Sequence, residues 1–224
     1  MNTRSLSAQT HEVERRVDEV EPIQVGLLGI GTVGSGTFKV LRRNQQEIRR
    51  RAGRGIEIAV VADLDVARAR AIVGDNVRVV DDARQVIADP AIDIVVELIG
   101  GYGIARALVL EAIAAGKHVV TANKALLAVH GNEIFAAAHA KGVIVAFEAA
   151  VAGGIPIIKA LREGLTANRI EWVAGIINGT TNFILTEMEG GATFGEALAE
   201  AQRLGYAEAD PTDDVSGADA AAKM

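Results

Sequence analysis

Short apolar runs alternate with helical stretches along most of this chain, and almost none of the runs has a polar face. IQVGLLGIG (23–31), IEIAVVAD (56–63), VRVV (77–80), IDIVVELIGG (92–101), KHVVTA (117–122) and VIVAFEAAV (143–151) read as strands. Residues 33–52, DVARARAIVG (65–74), DDARQVIAD (81–89, ended by Pro90), ARALVLEAIAAG (105–116) and GNEIFAAAHAKG (131–142) read as helices. Strands that are apolar on both sides and separated by helices specify a parallel sheet covered on both faces. The expectation is an α/β, doubly wound parallel sheet over residues 22–150.

The pattern changes after about residue 150. VAGGIPIIKALREGLTAN reads as a loop feeding a helix near Ile155–Pro156, where proline is tolerated in the first turn. RIEWVAGIIN (169–178) reads as a long strand, with Trp172 in a core. GTTNFILTEMEGG and TFGEALAEAQRLG read as helices closed by glycine. Residues 151–224 are therefore expected to form a second, α+β unit.

Composition narrows the class of partner. The 224 residues carry a formal charge of −6 and no cysteine. An acidic chain gives no electrostatic reason to expect nucleic acid or an anionic membrane. No apolar run approaches the roughly 20 residues of a membrane span. Disulfides are excluded, and a cytoplasmic location is the default. Residues 1–21 read as a solvated, disordered lead-in rather than a signal peptide. The basic stretch RRNQQEIRRRAGR (42–54) reads as a solvated helix face. His118, His130 and His139 lack the spacing of a transition-metal site and read as structural or surface residues.

GIGTVG (29–34) is G-x-G-x-x-G between a strand and a helix. Gly29 permits a tight turn, Gly31 lets backbone approach a pyrophosphate, and Gly34 lets helix pack against strand. The helix start then offers free N–H groups to an anion. Gly29, Ile30, Gly31, Thr32, Val33 and Gly34 thus form a candidate dinucleotide site on a Rossmann-type sheet; the alternative is a close helix–strand crossing with no ligand. Asp63, 32 residues after Gly31, suits a ribose 2′-hydroxyl or a helix cap. Arg68 and Arg70 follow and suit a 2′-phosphate instead.

Four further stretches are more specific: TANKALLA (121–128), FEAAVAGGIPIIKALREGL (147–165), GIINGTTNFILTEM (175–188) and GYAEADPTDDVSGADAAAK (205–223). In this order and spacing the chain, from about Ile23 onward, resembles homoserine dehydrogenase. The resemblance implies NAD- or NADP-linked interconversion of L-homoserine and L-aspartate 4-semialdehyde, on the route to threonine, isoleucine and methionine. It also implies an incomplete α+β substrate and dimerisation domain after the cofactor domain; the long apolar run RIEWVAGIIN, read as part of a sheet that pairs with another chain, fits a homodimer.

Residue by residue, Lys223 matches the family's acid–base lysine, and Lys124 a second lysine near nicotinamide and substrate. Charge that builds on the aldehyde oxygen during hydride transfer needs such a donor. Glu208 matches a substrate-contacting glutamate. Asp219, four residues before Lys223, shares a helix face with it and either orients the lysine or holds the substrate's amino group. Asp214 is the third acid, and Thr181 a candidate for the substrate carboxylate, with Thr180 and Asn182 beside it. Asp210 and Asp213 read as turn or cap residues. Glu148, Val151, Gly153 and Ile155 match the family's monovalent cation site, usually sodium; oxygen donors around a glycine-bearing loop suit a hard cation.

Two departures qualify the resemblance. Family members often carry an arginine after the second strand; here that position is Ala62, which puts NADP preference in doubt and leaves both NADP and NAD open as the cofactor. Members also continue well past the acid–base lysine, so the resemblance implies a truncated chain whose activity alone is in question. A catalytically incompetent dinucleotide-binding fragment, and a dehydrogenase of another amino-acid-derived substrate, are the competing readings.

Overall fold

The structure, a computed structural model, describes residues 20–224. The expected lead-in lies, but for its last two residues, outside the described residues. The chain divides into two compact units, one running to Ala146 and the other spanning Phe147–Met224.

The first unit is built on six parallel strands: β1 (Ile23–Leu28), β2 (Ile56–Ala62), β3 (Arg78–Val80), β4 (Ile94–Glu97), β5 (His118–Thr121) and β6 (Val145–Ala146). Their order is β3-β2-β1-β4-β5-β6, all parallel, so the winding reverses beside β1. Helices α1 (Thr32–Arg43), α2 (Gln45–Ala52), α3 (Val66–Val73), α4 (Ala83–Ile87), α5 (Gly103–Ala114) and α6 (Lys124–Lys141) connect them. Side chains alternate between the two faces of the sheet, as the period of a strand requires. Val25, Leu27 and Val61 pack with Phe38, Ala69 and Val73 of α1 and α3. Leu28, Val60 and Val95 pack on the other side with Leu108, Val109, Leu126 and Ile134 of α5 and α6. Burial on both faces is why these strands read as continuous apolar runs.

The strand ends share a register. Leu28 lies opposite Ala62 on one side and Glu97 on the other, and Glu97 lies opposite Thr121. The loops that leave β1, β2, β4 and β5 therefore rise from one crest, where open α/β sheets bind ligands.

The helix expected over 33–52 is two helices, because Asn44 leaves helical geometry (φ −103°, ψ 20°) between Arg43 and Gln45. The helix expected from residue 131 starts at Lys124, because the Asn123 side chain accepts from Leu126 N–H and caps it. The strand expected over 143–151 pairs only through Val145–Ala146, after which the chain turns into a helix.

The second unit contains α7 (Ala149–Ala152), α8 (Ile157–Lys159) running into a π-helical turn (Ala160–Gly164), α9 (Gly179–Glu189), α10 (Phe194–Arg203), α11 (Thr212–Val215) and α12 (Ala218–Lys223). Ile184, Ala197, Ala201 and Ala207 form its small core. The strand expected over 169–178 is not formed, and among the described residues this unit has no strand. A strand needs a neighbour for its N–H and C=O groups, and this run has none. Trp172, expected in a core, is 78% exposed, and Ile170, Val173 and Ile176 are exposed with it.

Two glycines of α1 separate packing from propensity. A Cβ at Gly34 would stand 2.1 Å from the Gly29 carbonyl oxygen, whereas one at Gly36 meets nothing within 4 Å. Gly34→Ala is expected to cost about 2–3 kcal/mol by overpacking. Gly36→Ala is expected to stabilise by about 0.5–1 kcal/mol through helix propensity. Urea unfolding of both variants measures this, and equal effects would contradict the packing.

Candidate functional site

The glycine turn sits at the crest of the first unit. Gly29 has φ +92°, and a Cβ there would lie 2.9 Å from the Leu98 carbonyl oxygen, so this position is closed to other residues. Gly31, the N-cap of α1, differs: a Cβ would meet nothing within 4 Å. No packing inside the unit requires glycine there, and Gly31 lines an open cavity. Helix α1 has no side-chain cap and no acid in its first turn, but Arg42 and Arg43 in its last. Its sequence complements the C-terminal end of the dipole and leaves the positive end, at Thr32 and Val33, bare for an anion.

Ile30 plays another part. Its side chain is buried, and its N–H donates to Asp63 Oδ2 at 2.8 Å, so that N–H is not offered to a ligand. Asp63 also accepts from Asp65 N–H (2.9 Å) and, more weakly, from the Arg68 guanidinium (3.4 Å). It is not the cap of α3; Asp65 is, accepting from Arg68 N–H. Burial pushes the Asp63 carboxyl up, but the two N–H donors and Arg68 outweigh it and hold the group below its ordinary range. Beside Asp63 lies a cavity of about 480 Å³ walled by Gly29, Gly31, Ala62, Asp81, Leu98 and Ile99 among others. Arg68 lines it and Arg70 does not. Apolar walls with a few placed polar groups suit an adenosine.

Lys124 is the first residue of α6 and is exposed. A cation at the positive end of a helix gains nothing from the dipole, so both favour an anionic ligand. Two residues not singled out from the sequence brace this region. Glu97, at the end of β4, is fully buried and accepts from the main chain of Ile99 and Gly100 and from the Thr121 hydroxyl. Asn123 caps α6 and donates to the Gly101 carbonyl. A lone acid closing an apolar strand run was the available signal for Glu97.

The second unit gathers Asp214, Asp219 and Lys223 around Asn178. Lys223 Nζ donates to Asp219 Oδ2 at 2.5 Å and to the Ile177 carbonyl at 3.0 Å. The Asn178 amide donates to Asp214 Oδ1 (2.7 Å) and Asp219 Oδ2 (2.8 Å), and its oxygen accepts from Thr181 N–H, capping α9. Asn178 is nearly buried and is the hub of the cluster; an asparagine ahead of Gly-Thr-Thr is a helix-start signature that marks it in the sequence. The Thr181 hydroxyl donates to the Asp214 carbonyl, and Thr180 to the Tyr206 carbonyl. A groove of about 770 Å³ is lined by Asp214, Asp219, Lys223, Asn182 and Tyr206 among others. Glu208 is exposed and not part of that lining.

Both carboxylate oxygens of Glu148 accept main-chain N–H groups, from Ile158 (2.8 Å) and Lys159 (2.9 Å) at the start of α8. Val151 lies in α7, and Gly153 (φ +59°) and Ile155 in the turn after it. Among the described residues no three His, Asp or Glu side chains converge as metal ligands. His118 and His130 have structural partners: Ile144 N–H donates to the first, and the second packs on Tyr102.

These features agree with comparisons to known proteins. Residues 29–148 match the family model for the NAD binding domain of homoserine dehydrogenase, and residues 156–224 the homoserine dehydrogenase model. Homoserine dehydrogenase of Pseudomonas aeruginosa is 65% identical over 208 residues, covering 92% of this chain and 47% of that protein. That of Methylobacillus glycogenes is 60% identical over 206 residues, covering 92% and 50%. The crystal structure of a homoserine dehydrogenase from Thiobacillus denitrificans superposes with a TM-score of 0.83 at 67% identity, over 90% of this chain and 47% of that one. A hyperthermophilic archaeal homoserine dehydrogenase in complex with NADPH gives 0.74 at 26% identity, over 91% and 67%. The chain spans about half the length of the curated relatives it matches. Its first unit is an NAD(P)-binding domain, and the chain belongs to the homoserine dehydrogenase family.

Proposed function

We propose that this chain contributes the cofactor-binding part and the acid–base end of an enzyme that interconverts L-homoserine and L-aspartate 4-semialdehyde. The observation that carries the reading is the Lys223–Asp219–Asn178–Asp214 cluster at one groove, in a chain whose other unit has an open glycine turn. When bound, NAD or NADP supplies the hydride acceptor or donor.

The chain's own groups divide the remaining work. Lys223 is anchored by two acceptors, which leaves one ammonium N–H for the substrate oxygen. It gives a proton to that oxygen as charge builds during reduction, and takes one from the hydroxyl during oxidation. Asp219 is committed to the lysine, so its part is to aim Lys223. Asp214 has one oxygen on Asn178 and keeps the other for the substrate ammonium, with Glu208 as a second carboxylate. Thr181 acts by holding Asp214. Lys124 is assigned to anionic groups of the ligands, and the N–H groups of Thr32 and Val33 to the pyrophosphate.

Asp63, held ionised in the cavity wall, favours ribose hydroxyls over a 2′-phosphate, so NAD is the preferred cofactor; Arg68 is the cation that admits NADP. Sodium at Glu148, Val151, Gly153 and Ile155 belongs to the same proposal. With the Glu148 carboxylate taken up by N–H groups, main-chain oxygens supply the donors. A homodimer is supported by the exposed apolar run through Ile170, Trp172, Val173 and Ile176. A cytoplasmic setting belongs to the same proposal; among the described residues no helix is long and apolar enough to cross a membrane.

Homoserine oxidation at alkaline pH, followed by nicotinamide absorbance with NAD and NADP separately, tests the reading. Lys223→Ala is expected to lower turnover by at least about 10²-fold with cofactor affinity unchanged. Cofactor binding without turnover on any amino alcohol or semialdehyde would instead indicate a dinucleotide holder.

Asp63 makes a separate prediction about pH. Its folded value lies below the ordinary 3.8. Its stabilisation is therefore full above the unfolded value and lost as pH falls through the folded one. Asp63→Asn is expected to cost about 1–3 kcal/mol at neutral pH, with the deficit shrinking on acidification below pH about 4. A deficit independent of pH in denaturant titrations would contradict this.

A further inference from the structure

Glu97 is a buried acid that the proposed chemistry does not use. It is 0% exposed, and among the described residues no cation pairs with it. Burying a carboxylate is costly, and an apolar side chain of similar volume would pack the sheet better. Its three hydrogen bonds indicate what it is for. One oxygen accepts from Ile99 N–H (2.9 Å) and Gly100 N–H (3.3 Å), and the other from the Thr121 hydroxyl (2.7 Å). Thr121 Oγ1 in turn accepts from Asn123 N–H (3.0 Å), and the Asn123 side chain both donates to the Gly101 carbonyl and caps α6. The turn 98–101 is thereby held at its N–H groups by Glu97 and at its last carbonyl by Asn123.

The ladder holds that turn only at Leu98, whose N–H donates to the Leu28 carbonyl at 2.9 Å. Gly100 and Gly101 both have positive φ (+84° and +65°), a conformation with no ladder partners and high entropy when released. Yet it carries Leu98 and Ile99, two walls of the cavity beside Asp63, and the Leu98 carbonyl lies against Gly29. The same circuit ends at the residue before Lys124. Asp63 plays the matching part on the other side of β1, with a strand-end carboxylate on the N–H of Ile30.

We propose that Glu97 is a positioning residue for the cofactor. Through Ile99, Gly100 and Thr121 it sets the shape of the 98–101 turn and the start of α6, without touching the ligand. This rests on the first unit binding NAD(H) or NADP(H).

The test measures cofactor affinity for this chain by quenching of reduced-nicotinamide fluorescence, well below each variant's thermal midpoint. Glu97→Ala is expected to weaken NADH at least tenfold. Glu97→Gln, which returns an acceptor to the two N–H groups, is expected to recover most of that. Thr121→Val is expected to weaken NADH several-fold, and amide exchange of Ile99 and Gly100 is expected to quicken in Glu97→Ala. If Glu97→Ala does not fold, Glu97→Gln and Thr121→Val decide alone. Wild-type affinity in folded variants, with only the thermal midpoint lowered, would leave Glu97 as a fold residue and overturn the proposal. Absence of NADH and NADPH binding in the unmutated chain would overturn the cofactor reading instead.

Discussion

A parallel sheet buried on both faces has its polar business at its strand ends, and here two carboxylates at those ends organise the crest. Asp63 closes β2 and accepts from Ile30 N–H; Glu97 closes β4 and accepts from Ile99 and Gly100. Each converts an irregular loop, whose backbone groups the ladder cannot satisfy, into a defined surface. For Asp63, whose carboxyl is held below its ordinary range, these are main-chain N–H bonds to an ionised acceptor, among the stronger hydrogen bonds available. The glycine turn and the cavity beside it depend on both.

The second unit uses the same economy of groups. One buried amide, Asn178, starts α9 and spaces Asp214 from Asp219, and Asp219 carries Lys223. The dense run of acids ahead of a single lysine is thus not one undifferentiated charge cluster. Asp210 closes a turn on Thr212, Asp219 is tied to the lysine, and Asp214 faces the groove. Glu148 shows a third variation, with its two oxygens spent on the start of α8.

Much of the first unit was legible in the sequence because burial on both faces writes itself as uninterrupted apolar runs, and because Gly29 and Gly34 sit where only glycine fits. The start of α6 was missed because the cap, Asn123, lies inside a motif read for its lysine. The break at Asn44 was hidden by continuous basic patterning on either side. RIEWVAGIIN has the composition of a strand but, among the described residues, no neighbour to pair with, and β propensity reflects fit to a sheet rather than an intrinsic backbone state. Asp219 and Lys223 were legible as a pair because spacing of four residues places both on one helix face. Asn178 was legible only as a helix start and Glu97 only as a lone acid in an apolar run, since the bonds from Asn178 to Asp219 and from Thr121 to Glu97 span 41 and 24 residues of chain.

In the proposed arrangement the crest between β1 and β4 binds the dinucleotide, with the bare end of α1 on its pyrophosphate. Backbone amide shifts recorded while NADH and NADPH are titrated into the labelled chain test it directly. The largest changes are expected at Gly31, Thr32 and Val33, with Ala62–Leu64 and Leu98–Gly101 following. Saturable binding that leaves those amides unmoved would contradict the account.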